Sequence, residues 1–452
     1  MLNKPIIHVE TLIIGTGFSG IGLAIRLQQE HHKDFIILEK AASVGGCWRD
    51  NTYPGAACDV PSHLYSFSFE TNPNWGRRFS GQTEILAYMQ GCISKHQLQN
   101  KIRFQQEVAE AKFDATSGLW QISTVQGQHY QARFLISACG QLSRPAYPNL
   151  KGIDNFKGAK FHSATWDHSF DLKNKKVAVI GTGASAIQFI PAIVDQVAEL
   201  NLFQRSPPHV LPKPDRAYRA WEKTMFRRLP FTQSLSRLAI YSQYESRAIA
   251  LGPLKFLLKG LEWSWKNNMH RHVKEPELRA KLSPDYTIGC KRILLANDYY
   301  PSLAKDNVAV DVSGVEEVKA HSIVSKEGAE YPVDAIIFGT GFKATEFLAP
   351  MKITGLGNVD LNSTWLHGAE AYKGITITGF PNLMMLYGPN TNVGHNSIVY
   401  LIESQIKYIL DYIKQANTKQ LRYMDVKTER QQQFNQKLHH DLQNSVWNTG
   451  GC

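Results

Sequence analysis

Short, continuous apolar runs that lead directly into glycine-rich turns are the clearest pattern in the chain. The first run, Thr11–Ile14, enters Gly15-Thr16-Gly17-Phe18-Ser19-Gly20. A stretch with helical apolar periodicity, Ile21–Gln29, and a second apolar run, Phe35–Leu38, follow. Continuous apolar runs are typical of parallel strands buried on both faces, and a period of about 3.6 residues is typical of a helix. Residues 9 to 39 are therefore predicted to form a βαβ unit.

The same pattern begins again at Lys176. Val177–Ile180 enters Gly181-Thr182-Gly183-Ala184-Ser185-Ala186, and a helix from Ile187 to Val197 and a strand from Leu200 to Phe203 are predicted to follow. The fold class predicted from both units is α/β, with two nested Rossmann-like dinucleotide-binding domains.

Two similar segments predict how the domains are connected. Phe134–Gly140 resembles Asp334–Gly341, two hundred residues later. We expect the chain to leave the first domain near Pro145 and to return near Tyr331. The first domain then comprises residues 1–145 and 331–452, and the second comprises residues 146–330. A proline-rich crossing precedes a mainly helical stretch, about 212–282, which is interpreted as an insertion in the second domain.

Composition excludes several classes of protein. Apolar residues make up 43% and charged residues 20% of the 452 residues, as in ordinary globular proteins. No apolar run approaches the roughly 18 residues of a membrane span, and the N-terminus lacks the features of a signal peptide. The six cysteines form no CxxC pair or Cys/His cluster. Neither a metal site nor a disulfide framework is therefore predicted, and a cytoplasmic protein with reduced thiols is expected.

The net charge of +11 is concentrated in the helical stretch, which has fifteen Lys/Arg and six Asp/Glu between Leu211 and Leu282. A solvated helical face is the favoured interpretation. Steering of a polyanionic cofactor and weak contact with a membrane surface remain alternatives. Nothing resembles a nucleic-acid-binding module, and no pattern indicates an oligomeric state.

The first glycine-rich turn has the features of a phosphate cradle. Gly15 permits the tight turn, Gly17 lets the backbone approach a pyrophosphate, and Gly20 lets the helix pack closely on the strand. The helix N-terminus offers free N–H groups to the phosphates. Glu39, after the second strand, stands where an acid binds both ribose hydroxyls. This combination is typical of an FAD site.

The second cradle, with Gly181, Gly183 and Ala186, is the GxGxxA variant. Its second strand ends in Gln204-Arg205-Ser206, with no carboxylate to repel a 2′-phosphate, and Arg205 can bind one. This favours NADPH over NADH. Two dinucleotides in one chain indicate hydride transfer from a nicotinamide to a flavin. Gly45-Gly46-Cys47-Trp48 has one cysteine without a nearby partner, so thiol relay chemistry is not predicted.

The segment Phe156–Asp167 reads FxGxxxHxxxWD, which resembles the fingerprint of type I Baeyer–Villiger monooxygenases. Related flavin-containing and N-hydroxylating monooxygenases usually carry another aromatic residue and lack the final Asp. Further similarities to the family lie at Gly45–Phe69, Gly289–Arg292, Asn297–Pro301 and Gly388–Asn390. The resemblance extends over essentially the whole chain and in the family's order.

The resemblance implies roles for particular residues. Arg292 is expected to lie near flavin and nicotinamide and to stabilise a C4a-peroxyflavin anion, with Asp59 as its carboxylate partner. Lys291 and Arg205 are expected to contact the NADPH 2′-phosphate. His162 and Trp166 are expected to link the domains without touching substrate. The catalytic residues predicted are thus Arg292 and Asp59. The full set predicted to bind cofactor is Gly15, Gly17, Phe18, Ser19, Gly20, Glu39, Gly46, Cys47, Trp48, Asp59, Tyr65, Val108, Asn390, Gly181, Thr182, Gly183, Ala184, Ser185, Gln188, Arg205, Ser206, Lys291 and Arg292.

The implied reaction consumes NADPH and O2 and inserts one oxygen atom beside a ketone carbonyl by a Criegee-type rearrangement, giving an ester or lactone. Two alternatives stay open: oxygenation of a sulfide or amine, and an FAD- and NADP-binding protein without oxygenase activity. The second arises because family members usually continue well past a stretch such as Trp447–Cys452, and their tail covers part of the substrate side. The ketone itself is not indicated by the sequence.

Overall fold

The computed structural model describes residues 5–251 and 254–452, which form a mixed α/β structure. The strands are β1 (Ile7–Ile14), β2 (Phe35–Leu38), β3 (Ile102–Arg103), β4 (Val108–Asp114), β5 (Leu119–Thr124), β6 (His129–Ser137), β7 (Ala159–His162), β8 (Lys176–Ile180), β9 (Glu199–Phe203), β10 (Val210–Leu211), β11 (Leu294–Leu295), β12 (Val308–Asp311), β13 (Val315–Val318), β14 (Ser322–Ser325), β15 (Glu330–Pro332), β16 (Ala335–Phe338), β17 (Lys352–Thr354) and β18 (Leu383–Met385).

The α-helices are α1 (Phe18–Gln29), α2 (Cys47–Asp50), α3 (Gln82–Lys95), α4 (Ala186–Ile193), α5 (Ala220–Arg228), α6 (Pro230–Leu251), α7 (Leu258–His272), α8 (Pro276–Lys281), α9 (Tyr299–Leu303), α10 (Leu361–Thr364), α11 (Ile398–Thr418), α12 (Thr428–Gln443) and α13 (Val446–Thr449). Short 3-10 turns lie at Gln99–Lys101, Ile153–Asn155, Ser163–Thr165, Lys255–Leu257 and Leu356–Asn358.

The first predicted βαβ unit is confirmed as β1, α1 and β2. β1 pairs in parallel with β2 on one side and with β6 on the other, and Leu12 and Ile13 are fully buried. The complete sheet has the order β17-β4-β5-β6-β1-β2-β3, with β18 also paired to β6. Helix α11 packs against α1 on one face of this sheet. The glycine turn after β1 therefore lies at the carboxyl edge of a buried parallel sheet, where such sheets bind ligands.

The second predicted unit is also confirmed, as β8, α4 and β9. Its sheet has the order β12-β9-β8-β16-β7 and is parallel throughout. β8 lies between β9 and β16 just as β1 lies between β2 and β6. The similarity of Phe134–Gly140 to Asp334–Gly341 thus has a physical basis, because the two segments occupy equivalent strands in two separate sheets.

The predicted return to the first domain near Tyr331 is wrong. Ala335–Phe338 pairs with β7 and β8, so this segment belongs to the second sheet. The chain returns after Gly341, where Phe342 forms a β-bridge with Pro145 on the outgoing segment. The two crossings therefore lie side by side. A repeated strand pattern in the sequence does not distinguish two strands of one sheet from equivalent strands in two sheets.

The predicted insertion is helical, as α5 to α8, but it does not pack on the second unit alone. Ile240 and Tyr244 of α6 lie in the same hydrophobic cluster as Phe18 of α1. Leu258 and Trp265 of α7 lie instead in the core of the second unit. The insertion therefore packs on both units, its first half on the first and its second half on the second.

The prediction of reduced cysteines is wrong for one pair, because Cys290 and Cys452 form a disulfide between residues 162 positions apart. Spacing could not reveal this pair, since connectivity between scattered cysteines depends on the fold. Cys47, Cys58, Cys92 and Cys139 are free. Within residues 5–251 and 254–452, no group of three or more His, Cys, Asp and Glu could hold a metal ion. Nor is any helix in that part of the chain long and apolar enough to cross a membrane.

Candidate functional site

The first cradle has two glycines required by packing and one that leaves space. Gly15 has φ +106°, and a Cβ there would approach the carbonyl oxygen of Ala138 to 2.7 Å. A Cβ on Gly20 would clash with the carbonyl oxygen of Gly15. A Cβ on Gly17, by contrast, would meet no protein atom within 4 Å. The open space at Gly17, beside the N-terminus of α1, fits a pyrophosphate that approaches the backbone.

Glu39 is only 4% exposed and lies beside this cradle. Its Oε2 accepts hydrogen bonds from the Thr16 N–H (3.0 Å) and the Thr16 hydroxyl (2.6 Å). Its Oε1 accepts from the Ala41 N–H (2.9 Å) and from Arg49 Nη1 (3.1 Å). These contacts fix the carboxylate where a ribose would lie. Thr16 and Arg49 were not singled out from the sequence; a buried acid in a fingerprint is a general signal that such partners exist.

The segment Gly45–Phe69, called here the flavin-side loop, is packed onto the same cradle. Gly46 has φ +52°, and a Cβ there would lie 3.2 Å from Cα of Gly17. Trp48 donates a hydrogen bond from Nε1 to the Tyr65 hydroxyl (3.1 Å), and the Tyr65 ring centroid is 5.2 Å from that of Phe18. The predicted residues Phe18, Gly46, Trp48 and Tyr65 are therefore brought together.

The remaining residues predicted for the first cofactor are Ser19, Cys47, Val108 and Asn390. Ser19 is buried in the first turn of α1, and Val108 begins β4 in the cluster that contains Leu38. Burial raises the pKa of the Cys47 thiol to about 11, so it is protonated at neutral pH. Asn390 is exposed, with φ +59°, in the loop between β18 and α11.

The second cradle repeats the geometry of the first. Gly181 has φ +100°, and its Cβ would come within 2.6 Å of the Gly339 carbonyl oxygen. A Cβ on Gly183 would meet only that same oxygen, at 3.5 Å, so space for a ligand remains. Gly183 and Ala184 are exposed and Ser185 precedes α4. Thr182 bonds through its hydroxyl to the carbonyl oxygen of Ser206 (3.2 Å), which joins the turn to the end of β9.

A basic group lies at that end of β9. Lys291 Nζ donates to the Ser206 hydroxyl oxygen (2.7 Å) and lies 4.5 Å from the centroid of the Tyr286 ring. Arg205 is exposed beside them. Gln204 is the residue that precedes this group, and its amide donates to the Lys281 carbonyl (2.8 Å). No carboxylate side chain stands at residues 204–206, so the arrangement fits a phosphate on a ribose 2′-oxygen.

Gln188, predicted as a cofactor contact, links the two units through its side-chain amide. Its Oε1 accepts hydrogen bonds from the Tyr53 hydroxyl (3.0 Å) and the Ala57 N–H (3.2 Å), and its Nε2 donates to the Ala57 carbonyl oxygen (2.9 Å). The amide on α4 of the second unit is thus bound to the flavin-side loop of the first. Its partner Tyr53 was not predicted.

Asp59 and Arg292 form a bidentate ion pair between the units. Arg292 donates from Nε to Oδ2 and from Nη2 to Oδ1, both at 2.9 Å. Asp59 is the first cause of a raised pKa for Arg292, so the guanidinium stays charged. The side chain of Arg292 is nevertheless 41% exposed, which leaves part of the guanidinium open. Asp59 follows by two residues Ala57, which contacts Gln188 of α4, and Arg292 follows Lys291, which contacts Ser206 at the end of β9.

The fingerprint residues lie at the crossings between units. His162 is fully buried, its Nδ1 accepts from the Ala164 N–H (3.0 Å), and its ring lies 5.7 Å from that of Phe342. Burial lowers the pKa of His162. Trp166 packs against Phe189 of α4, with ring centroids 5.4 Å apart. His162 thus contacts the segment on which the chain returns to the first unit, whereas Trp166 packs within the second unit, on Phe161 and Phe189.

Comparison with known proteins relates this geometry to a family. A family described as pyridine nucleotide-disulphide oxidoreductase matches residues 12–250. Baeyer–Villiger monooxygenases of Pseudomonas aeruginosa and Streptomyces coelicolor are 51% and 46% identical to the chain. Each alignment covers 98% of this chain, with 84% and 86% of the respective relative.

Solved structures agree. An oxidised steroid monooxygenase bound to NADP superposes with a TM-score of 0.87 at 28% identity, covering 98% of this chain and 92% of that one. A closed crystal structure of cyclohexanone monooxygenase gives a TM-score of 0.86 at 25% identity, with coverage of 98% and 91%. The chain therefore belongs to the Baeyer–Villiger monooxygenases and is an FAD- and NADP-dependent oxidoreductase of that family.

Proposed function

We propose that the chain uses NADPH and O2 to convert a ketone into an ester or lactone at the Asp59–Arg292 pair. The observation that carries this proposal is the bidentate contact between those two side chains, which joins the flavin-side loop to the segment that follows Lys291. The family membership supports the reaction class, and the contact supports the position. The structures of cyclohexanone monooxygenase relatives bound to cyclohexanone and to epsilon-caprolactone make a cyclic ketone the first substrate to test.

The two cofactors fit the residues present. FAD would be held by the space at Gly17, the acid Glu39 and the Gly46–Trp48 loop, and NADPH by the space at Gly183 and the basic group Arg205, Ser206 and Lys291. When bound, FAD would accept hydride from NADPH and activate O2. The protein's contribution is then to bind both nucleotides, to orient them, and to place charge beside the oxygen that is transferred.

Arg292 is the group best suited to that last task. A guanidinium remains protonated in sites where an amine can lose its charge. Its contacts with Asp59 involve Nε and Nη2, and Nη1 takes part in neither. A preorganised cation beside a developing oxyanion needs no reorganisation during reaction, which is why such groups are effective in catalysis. Asp59 would act by fixing the plane of the guanidinium.

The cytoplasm is the compartment we propose, because NADPH is available there. The Cys290–Cys452 disulfide does not contradict this compartment, since cytosolic disulfides occur where they are transient or redox-sensing.

The proposed function is tested with purified protein, FAD, NADPH and ¹⁸O2, with cyclohexanone and a thioether as separate substrates. We expect lactone carrying one ¹⁸O atom, and NADPH consumption that rises with ketone while H2O2 release falls. Sulfoxide without lactone would favour the S-oxygenating alternative. The proposal would be contradicted if neither substrate changed the rate of NADPH oxidation and all the O2 consumed were recovered as H2O2.

A further inference from the structure

The loop that carries Arg292 has no regular secondary structure and is held in part by side-chain contacts. Residues 283–293 contain neither helix nor strand, and within residues 5–251 and 254–452 no backbone hydrogen bond is donated by residues 291–293. Two neighbouring side chains are anchored: Lys291 on Ser206 and Arg292 on Asp59. Cys290 and Leu294 on either side are buried in the core of the second unit, so residues 291–293 are the part of the loop whose position depends on these side-chain pairs.

The segment Val446–Cys452 supplies a restraint on that backbone. Thr287 donates its N–H to the Gly450 carbonyl oxygen (2.9 Å), and a Cβ on Gly289 would lie 3.7 Å from Cγ1 of Val446. Val446 is 1% exposed within the core of the second unit. The disulfide from Cys452 then reaches Cys290, whose Cα is 6.0 Å away and which lies two residues before Arg292.

The same segment also reaches the first unit. The side chain of Trp447 lies 3.6 Å from the position of a Cβ on Gly394, in the loop between β18 and α11. The segment therefore contacts the Arg292 loop on one side and a loop of the flavin-binding unit on the other. A covalent bond at its end fixes the first of these contacts.

We propose that the Cys290–Cys452 disulfide holds the Arg292 loop (residues 283–293) in the position where Arg292 contacts Asp59. Cys290 is then a positioning residue for the reaction. The inference rests on the proposed function, since it assigns Arg292 to oxygen transfer. Displacement of a reacting group by about 1 Å can cost about 10²-fold in rate, so a restraint two residues away is consequential. Hydride transfer, which does not use the guanidinium charge, is far less sensitive.

Formation of the Cys290–Cys452 disulfide requires an oxidant, and a side reaction of the enzyme supplies one. The two thiols lose two protons and two electrons, the S–S bond forms, and H2O2 accepts both to give two molecules of water. H2O2 is the product when NADPH oxidation is uncoupled from oxygen transfer. Uncoupled turnover of the reduced form would therefore supply the oxidant that restores the tether.

The test compares wild type with Cys452→Ser and Cys290→Ser, each with and without dithiothreitol, and uses Cys92→Ala as the control. Cys452 is exposed, so its substitution leaves the core intact, and Cys92 is a free thiol buried in α3. The readouts are a non-reducing peptide map, hydrogen exchange of residues 283–293, the rate of flavin reduction by NADPH, and lactone formed per NADPH.

In wild type and Cys92→Ala we expect a linked 290–452 peptide after brief treatment with H2O2. Dithiothreitol should then raise hydrogen exchange in residues 283–293 and lower lactone per NADPH by about ten-fold, with flavin reduction changed less than about two-fold. The two Ser variants should have the hydrogen exchange and lactone yield of reduced wild type, both with and without dithiothreitol. Absence of the linked peptide, or coupling and exchange that do not respond to reduction, would overturn the proposal. If oxidised wild type forms no lactone at all, the proposed function fails instead, and the exchange data alone decide whether the tether restrains the loop.

Discussion

The Tyr53 hydroxyl donates a 3.0 Å hydrogen bond to Oε1 of Gln188 and so joins the flavin-side loop to the helix that follows the NADPH cradle. Ala57, two residues before Asp59, completes the contact through its N–H and carbonyl groups. Gln188 and the Asp59–Arg292 pair are therefore two of the contacts that orient the NADPH cradle relative to the flavin-side loop.

Substitution of Gln188 tests that relationship. Gln188→Ala removes three hydrogen bonds between the units and should slow flavin reduction by NADPH by about ten-fold or more while FAD remains bound. Tyr53→Phe removes one bond and should slow it roughly two- to ten-fold. Stopped-flow absorbance of the flavin gives both rates. A Gln188→Ala protein with wild-type kinetics would show that Gln188 does not act as an interunit clamp.

Gly17 is the residue whose substitution should abolish FAD binding. A valine side chain would fill the space that Gly17 leaves beside the N-terminus of α1, where no protein atom lies within 4 Å of a Cβ. The fold should survive because that space is not part of the core. We expect Gly17→Val to purify without flavin absorbance but with a normal circular dichroism spectrum. Gly91→Ala, at an exposed position of α3 where a Cβ is equally free, should remain fully yellow.

Arg205 should determine the choice between NADPH and NADH. Loss of a charge-assisted contact to the 2′-phosphate costs on the order of 1.5 to 3 kcal/mol, or roughly ten- to a hundred-fold in affinity. Arg205→Ala should therefore raise KM for NADPH by that factor and leave KM for NADH nearly unchanged. Arg228→Ala, which removes another exposed arginine, is the matched control. Equal changes for both nucleotides would exclude Arg205 as the phosphate contact.

Acid should destabilise the fold through His63. Burial, with a smaller effect of Arg237, lowers the pKa of His63 from 6.5 to about 4. The folded state therefore stays neutral while the unfolded state takes up a proton, so stability is full above pH 6.5 and falls as the pH drops from 6.5 towards 4. One such group changes the free energy of unfolding by about 1.4 kcal/mol per pH unit in that window. Urea midpoints of His63→Gln should fall less steeply with acid than those of wild type; parallel curves would contradict this assignment.

Much of this structure could be predicted from local patterns. Both βαβ units follow from apolar runs and glycine turns, because the strands are buried on both faces and Gly15 and Gly181 need positive φ. The absence of an acid at the end of β9 likewise indicated the NADPH preference. These features are encoded within about thirty residues of chain, which is the range over which periodicity and turn chemistry are informative.

Contacts between segments that are distant in the sequence could not be predicted from local patterns. The Asp59–Arg292 pair was expected only through the family resemblance, and the Gln188–Tyr53 contact was not predicted. The Cys290–Cys452 bond and the membership of β16 in the second sheet were both missed. Each depends on which distant segments become neighbours, and single-residue patterns carry no information on that choice.

Arg292 tests the central claim most directly, because oxygen transfer to a ketone needs its charge and flavin reduction does not. Arg292→Ala should bind FAD and be reduced by NADPH, yet lose lactone formation by roughly 10²–10³-fold or more. Sulfoxidation, which uses the protonated oxidant, should decline much less. The measurement is lactone and sulfoxide yield per NADPH for wild type and Arg292→Ala, with H2O2 followed in the same reactions. The account predicts lost lactone, retained sulfoxide and increased H2O2; lactone at a near wild-type rate would contradict it.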